Sequence, residues 1–132
     1  MTTNLNSAIA NHLLEIQEKL GHDASIFEET KVYIGLNDSK TKEQKLETSS
    51  YVSILKKICS VHGVPFSFSV VDGGYLHDDG QYIEEKTIVL SFIDVPKETI
   101  DDIAKEVCVL FNQESVLVTE EHVHARTVRE VL

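Results

Sequence analysis

Arginine is almost missing from this chain. Of 12 basic side chains among 132 residues, only Arg126 and Arg129 are arginine, both in the closing HARTVRE, and 22 acidic residues outweigh them to a formal charge of −10. That deficit excludes the broad cationic face that displaces counterions from duplex phosphates, so nucleic acid is not an expected partner. It does not exclude a small anion in a local pocket, because local field and net charge are different quantities. Cysteine is as scarce: Cys59 and Cys108 each sit in an apolar helical pattern without zinc spacing. Both are expected to be reduced, buried and inert. Proline and glycine are few and no long run of like charge occurs, which excludes a disordered chain. No apolar stretch approaches the roughly 20 residues that cross a bilayer. Charges also interrupt MTTNLNSAIANHLLEIQEKL where a signal peptide needs an unbroken apolar segment. The expected location is the cytoplasm, with no membrane partner.

What is present, 42% apolar residues in a chain of this length, suffices for one domain with a real core. Residues 1–25 are expected as an appended helix, running from a cap at Asn6 or Ser7 to Leu20 and closed by Gly21. Its apolar residues Ile9, Leu13, Ile16 and Leu20 form a narrow seam of the kind that contacts another helix. KVYIGL, residues 31–36, alternates as a half-buried strand does. The polar NDSKTKEQKLE is a loop. A helix over 48–62 turns Tyr51, Ile54, Leu55 and Ile58 to one side and ends at Gly63.

After Pro65 the period changes to two, with Phe66, Phe68 and Val70 alternating with serines: a strand with one wet side, interrupted at DGGYLHDDGQ. Asp79-Gly80 is the hairpin signal, and YIEEKTIVLSFIDV returns with Ile88, Leu90 and Phe92 on one side. Pro96 opens a helix that buries Ile100, Ile103, Ala104, Val107 and Phe111. ESVLVTEEHV is the last strand. Residues 31–120 thus predict an α+β, ferredoxin-like βαββαβ fold: a four-stranded antiparallel sheet with two helices on one face, plus the N-terminal helix. The other sheet face would carry Tyr33, Ser67, Ser69, Val89, Ser91 and Leu117, apolar enough to suit the N-terminal helix or another protomer. Residues 121–132 remain as a C-terminal tail.

No nucleophile with its base, no P-loop and no zincin motif is present, so no enzymatic activity and no cofactor or metal is expected. His122 and His124 would share one face of an extended strand, a geometry a metal could use with Glu120 as a third ligand, although exposed polar residues are the plainer account. Asp78 and Asp79 suit turn formation better than acid–base work. Arg126 and Arg129 offer planar forks for phosphate or carboxylate, or partners for the surplus acid; composition does not choose between them.

Three segments, YIGLND at 33–38, VVDGGYLHDDGQYIEEKTIVL at 70–90 and LFNQESVLV at 110–118, occur in an order and spacing that resembles the small phage-encoded Thoeris anti-defence proteins of the first type. The resemblance covers about residues 31–119. It implies a sponge that binds a cyclic ADP-ribose isomer without cleaving it, with cyclic trinucleotides as a further ligand, in a homo-oligomer (dimer or hexamer) inside the infected bacterial host. It implies a site between protomers, and on this chain would assign Asn112, with Arg126 and Arg129 as phosphate and stacking groups and Phe111 as a further stacking ring, although the helical register of Phe111 equally suits the core.

Overall fold

The structure, a computed structural model, describes residues 8–15 and 24–130. Helix α1 (residues 8–15) is followed by β1 (Ala24–Gly35), α2 (Thr48–His62), β2 (Ser67–Leu76), β3 (Tyr82–Ile93), α3 (Lys97–Leu110) and β4 (Leu117–Arg126). The strands form one sheet in the order β2-β3-β1-β4, and β3 runs antiparallel to both β1 and β2. This is the ferredoxin-like arrangement the alternating patterns predict. The chain divides into two compact units: residues 29–120, and the described parts of 1–28 with 121–132.

Period-two alternation places the core of the larger unit. Val32 pairs with Leu90 and Ile34 with Ile88, so these side chains and Phe92 project from one sheet face. All five are buried, and Tyr51, Leu55, Ile58 and Cys59 of α2 with Ile100, Ile103 and Val107 of α3 pack onto them. Each such large aliphatic or aromatic side chain contributes about 1.5–3 kcal/mol by leaving water. Helix α2 ends where Gly63 takes φ 67°, its N–H bonding back to Cys59 and Ser60 carbonyls. Helix α3 begins after Pro96, whose carbonyl accepts the N–H groups of Thr99 and Ile100.

Four sequence expectations need correction. Strand β1 starts at Ala24, seven residues before Lys31 and inside the stretch assigned to the appended helix. Its polar SIFEET segment is not strand-like alone; pairing of Glu29 and Thr30 with Ile93 and Phe92 holds it extended, and Thr30 is buried. DGGYL does not interrupt β2, because the ladder with β3 continues from Asp72↔Lys86 to Leu76↔Tyr82. Only residues 77–81 turn, closed by His77 N–H to the Gln81 carbonyl with Gly80 at φ 87°. Nor has β2 a dry side: it is the sheet edge, and all ten of its residues are exposed. Lastly, β4 extends through Arg126, so the first half of the expected tail is strand. The expected α1 boundaries, Asn6 or Ser7 and Leu20 to Gly21, lie outside the described residues, as do Ile16 and Leu20 of its seam. No described helix is long and apolar enough to cross a membrane.

Candidate functional site

Where β1 leaves the sheet, its last residues run beside the hairpin, and the loop that follows is fastened there by polar side chains. Asn37 donates its backbone N–H to Glu85 Oε2 at 3.0 Å and its side-chain amide to the Glu84 carbonyl at 3.1 Å. Gln113 donates to the Asn37 carbonyl from the segment after α3. Gly35 makes room for this: a β-carbon there would lie 2.5 Å from the Glu85 carboxylate. Asp38 closes the turn, its Oδ1 accepting the N–H groups of Lys40 and Thr41 and its Oδ2 the Asn112 side-chain amide at 2.7 Å. These bonds, the one from Asn112 first, hold the Asp38 carboxyl at a pKa of about 2.

Between this loop and the hairpin opens a cleft of about 630 Å³ lined by Asn37, Gln44, Gly73, Gly74, Tyr82 and a charged set, Asp72, Glu84, Glu85 and Lys86. Its volume lies within the range of small-molecule sites, roughly 300–1,000 Å³. Three acidic residues and one lysine line it, with Lys86 3.0 Å from Asp72 and the Glu85 carboxylate already accepting the Asn37 N–H. The phenol end of Tyr82 lies over Gly74, where a β-carbon would collide with its hydroxyl at 2.6 Å and its ring at 2.8 Å, and the side chain is otherwise exposed. The cleft therefore offers a cation-attracting wall beside an aromatic face.

None of the residues assigned from sequence lines this cleft. Asn112 holds the loop through Asp38, from a left-handed φ of 49° that asparagine tolerates. Phe111 is 4% exposed and its ring meets Tyr51 edge-on at 4.8 Å, so it occupies the core position its helical register allows. Arg126 ends β4 and Arg129 lies in the segment beyond; both are exposed and belong to the smaller unit. Asp79 accepts the Gln81 N–H, which lowers its pKa, and faces His77 at 3.2 Å, as a turn former does. Cys59 is buried and Cys108 half-buried, both unbridged. No group of three or more metal-ligating side chains occurs among the described residues. The lining residues were missed because EEK reads as an ordinary solvated strand face. The available signal was the glycine pair opposite it, which strands otherwise avoid.

No protein-family profile matches the sequence, and no curated protein does either. The fold is similar to solved structures of a phage SAM lyase. One is in complex with S-methyl-5'-thioadenosine, at TM-score 0.58 and 20% identity over 76% of this chain and 90% of that one. Another is in the apo state, at TM-score 0.57 and 21% identity over 79% and 92%. The expectation that the chain is not an enzyme is overturned by this likeness. The same fold houses a lyase, so the lack of a familiar catalytic motif excludes only the chemistries those motifs serve.

Proposed function

We propose that the chain is a phage counter-defence enzyme that consumes S-adenosylmethionine in the cleft between the loop at 37–47 and the β2–β3 hairpin. The observation that carries this reading is the acid-rich lining of that cleft, Asp72, Glu84 and Glu85 against Lys86, in a fold shared with a phage SAM lyase. The substrate is a sulfonium cation with an ammonium group and an adenine ring. Carboxylates attract the first two, and the Tyr82 ring suits stacking or cation–π contact. Breaking the bond between sulfur and the aminobutyrate chain leaves the electron pair on sulfur, while an oxygen of the substrate's own carboxylate bonds to the carbon released and closes a lactone. The adenosyl product is then a neutral thioether, which the carboxylates no longer hold.

That charge logic also assigns a kinetic role. Attraction to a cation present before the reaction stabilises bound substrate, so the carboxylates act chiefly on KM. A cyclic ADP-ribose isomer carries two negative phosphates, and the same wall repels it.

Incubating the chain with S-adenosylmethionine and separating products by chromatography tests the reading. S-methyl-5'-thioadenosine should accumulate with repeated turnover, and Glu84→Gln with Asp72→Asn should raise KM about tenfold, the equivalent of losing about 1.4 kcal/mol of attraction. Intact recovery of S-adenosylmethionine, together with saturable binding of a cyclic ADP-ribose isomer, would overturn it.

A further inference from the structure

The smaller unit contains a pair of histidines that the cleft does not use. His12 on α1 and His124 on β4 have ring centres 6.0 Å apart, with planes inclined at 61°. They are distant in sequence, so only folding brings them together, and both are exposed. We propose that His12 and His124 form a two-imidazole binding site for a borderline divalent transition metal, of the zinc or nickel class, that clasps α1 to β4.

The geometry fits such an ion. With metal–nitrogen bonds of about 2.0–2.1 Å, two imidazoles on one ion have ring centres roughly 4.5–6.4 Å apart, depending on the angle between them. The observed separation lies inside that range. A tetrahedral angle needs a further approach of under about 1 Å, within reach of a small side-chain rotation at an exposed site. The rings are inclined and not stacked. Imidazole suits zinc, nickel and copper and not magnesium or calcium, which take oxygen ligands.

The same strand carries His122 and Glu120 at period two from His124, a set that a metal could use on spacing alone, although exposed polar residues are the plainer account. The structure redirects that set. His124 meets His12 instead, and no group of three ligating side chains forms among the described residues. Water fills the remaining coordination positions, so the site is an open, exchangeable one and not a closed structural zinc centre.

The experiment is calorimetric titration of the full chain, free of any affinity tag, with zinc chloride and nickel chloride, in parallel with His12→Ala, His124→Ala and His122→Ala. One ion per chain is expected, with saturable binding lost in the first two variants and kept in the third. The ion should also raise the Tm of the unsubstituted protein and of His122→Ala only. Circular dichroism in chelator verifies that each variant folds. For the unsubstituted chain, nickel broadening of the His12 and His124 ring resonances, ahead of the other histidines, gives the same answer without mutation. Undiminished binding in His12→Ala, one ion per two chains with a metal-induced dimer, or no saturable binding at millimolar metal would each overturn the site. None of these outcomes bears on turnover in the cleft, so this proposal and the enzymatic one fail separately.

Discussion

Asp38 shows how one exposed carboxylate can organise a loop. Its folded pKa of about 2 lies below the ordinary 3.8 because Asn112, Thr41 and Lys40 all donate to the charged form. A depressed acid contributes stability that is fully present above the unfolded pKa and is lost as pH falls through the folded one. Urea midpoints of the native chain should therefore fall between about pH 4 and pH 2. In Asp38→Asn that fall should be smaller, and the difference between the two curves isolates this residue; identical curves would refute the role. Cys59 is the opposite case, for burial pushes its thiol up to about 11 from 9.0. The folded state then holds a proton that the unfolded chain releases, so this group favours unfolding as pH rises from 9.0 towards 11. At neutral pH a thiol reagent should label half-buried Cys108 first and reach Cys59 only on unfolding, as mass spectrometry of labelled peptides would report.

At the scale of elements, two glycines have distinct duties. Gly63 ends α2 in the left-handed region with nothing near its absent β-carbon, so Gly63→Ala should cost about 1–2 kcal/mol from backbone strain alone, measured by denaturant unfolding. Gly35 has an ordinary backbone and no space. Gly35→Ala should displace Glu85, leave the Asn37 N–H without its acceptor and cost about 1 kcal/mol. It should also disturb turnover, which Gly63→Ala should not, because only Gly35 borders the loop of the cleft. Leu90, central in β3 and wholly buried, should cost about 2–5 kcal/mol on truncation to alanine. By contrast β2 lies at the sheet edge with Val71 and Leu76 exposed, so the same truncation there should change stability little.

For the whole molecule, a net charge of −10 sets the sign of long-range forces. A cationic substrate is drawn towards such a chain, and salt weakens that attraction over a Debye length of about 8–10 Å. Turnover of S-adenosylmethionine should therefore show KM rising with ionic strength while kcat stays nearly constant; a KM that falls with salt would count against the cleft's acidic wall as the recruiting surface. Alternation and helical spacing are local properties, so the order of strands and helices, the buried faces of β1, β3 and both long helices, and the stop at Gly63 were all determined by the sequence itself. The early start of β1, the unbroken run of β2 through Gly73 and Gly74, and the commitment of Asn112 to Asp38 were not. Each depends on a partner distant in sequence: Ile93 and Phe92 for β1, Glu84 and Glu85 for the glycines, the loop after β1 for Asn112. The meeting of Asp72, Tyr82, Glu84 and Glu85 around one cleft, and of His12 with His124, was decided only by the tertiary structure, because convergence in space leaves no periodic trace along a chain.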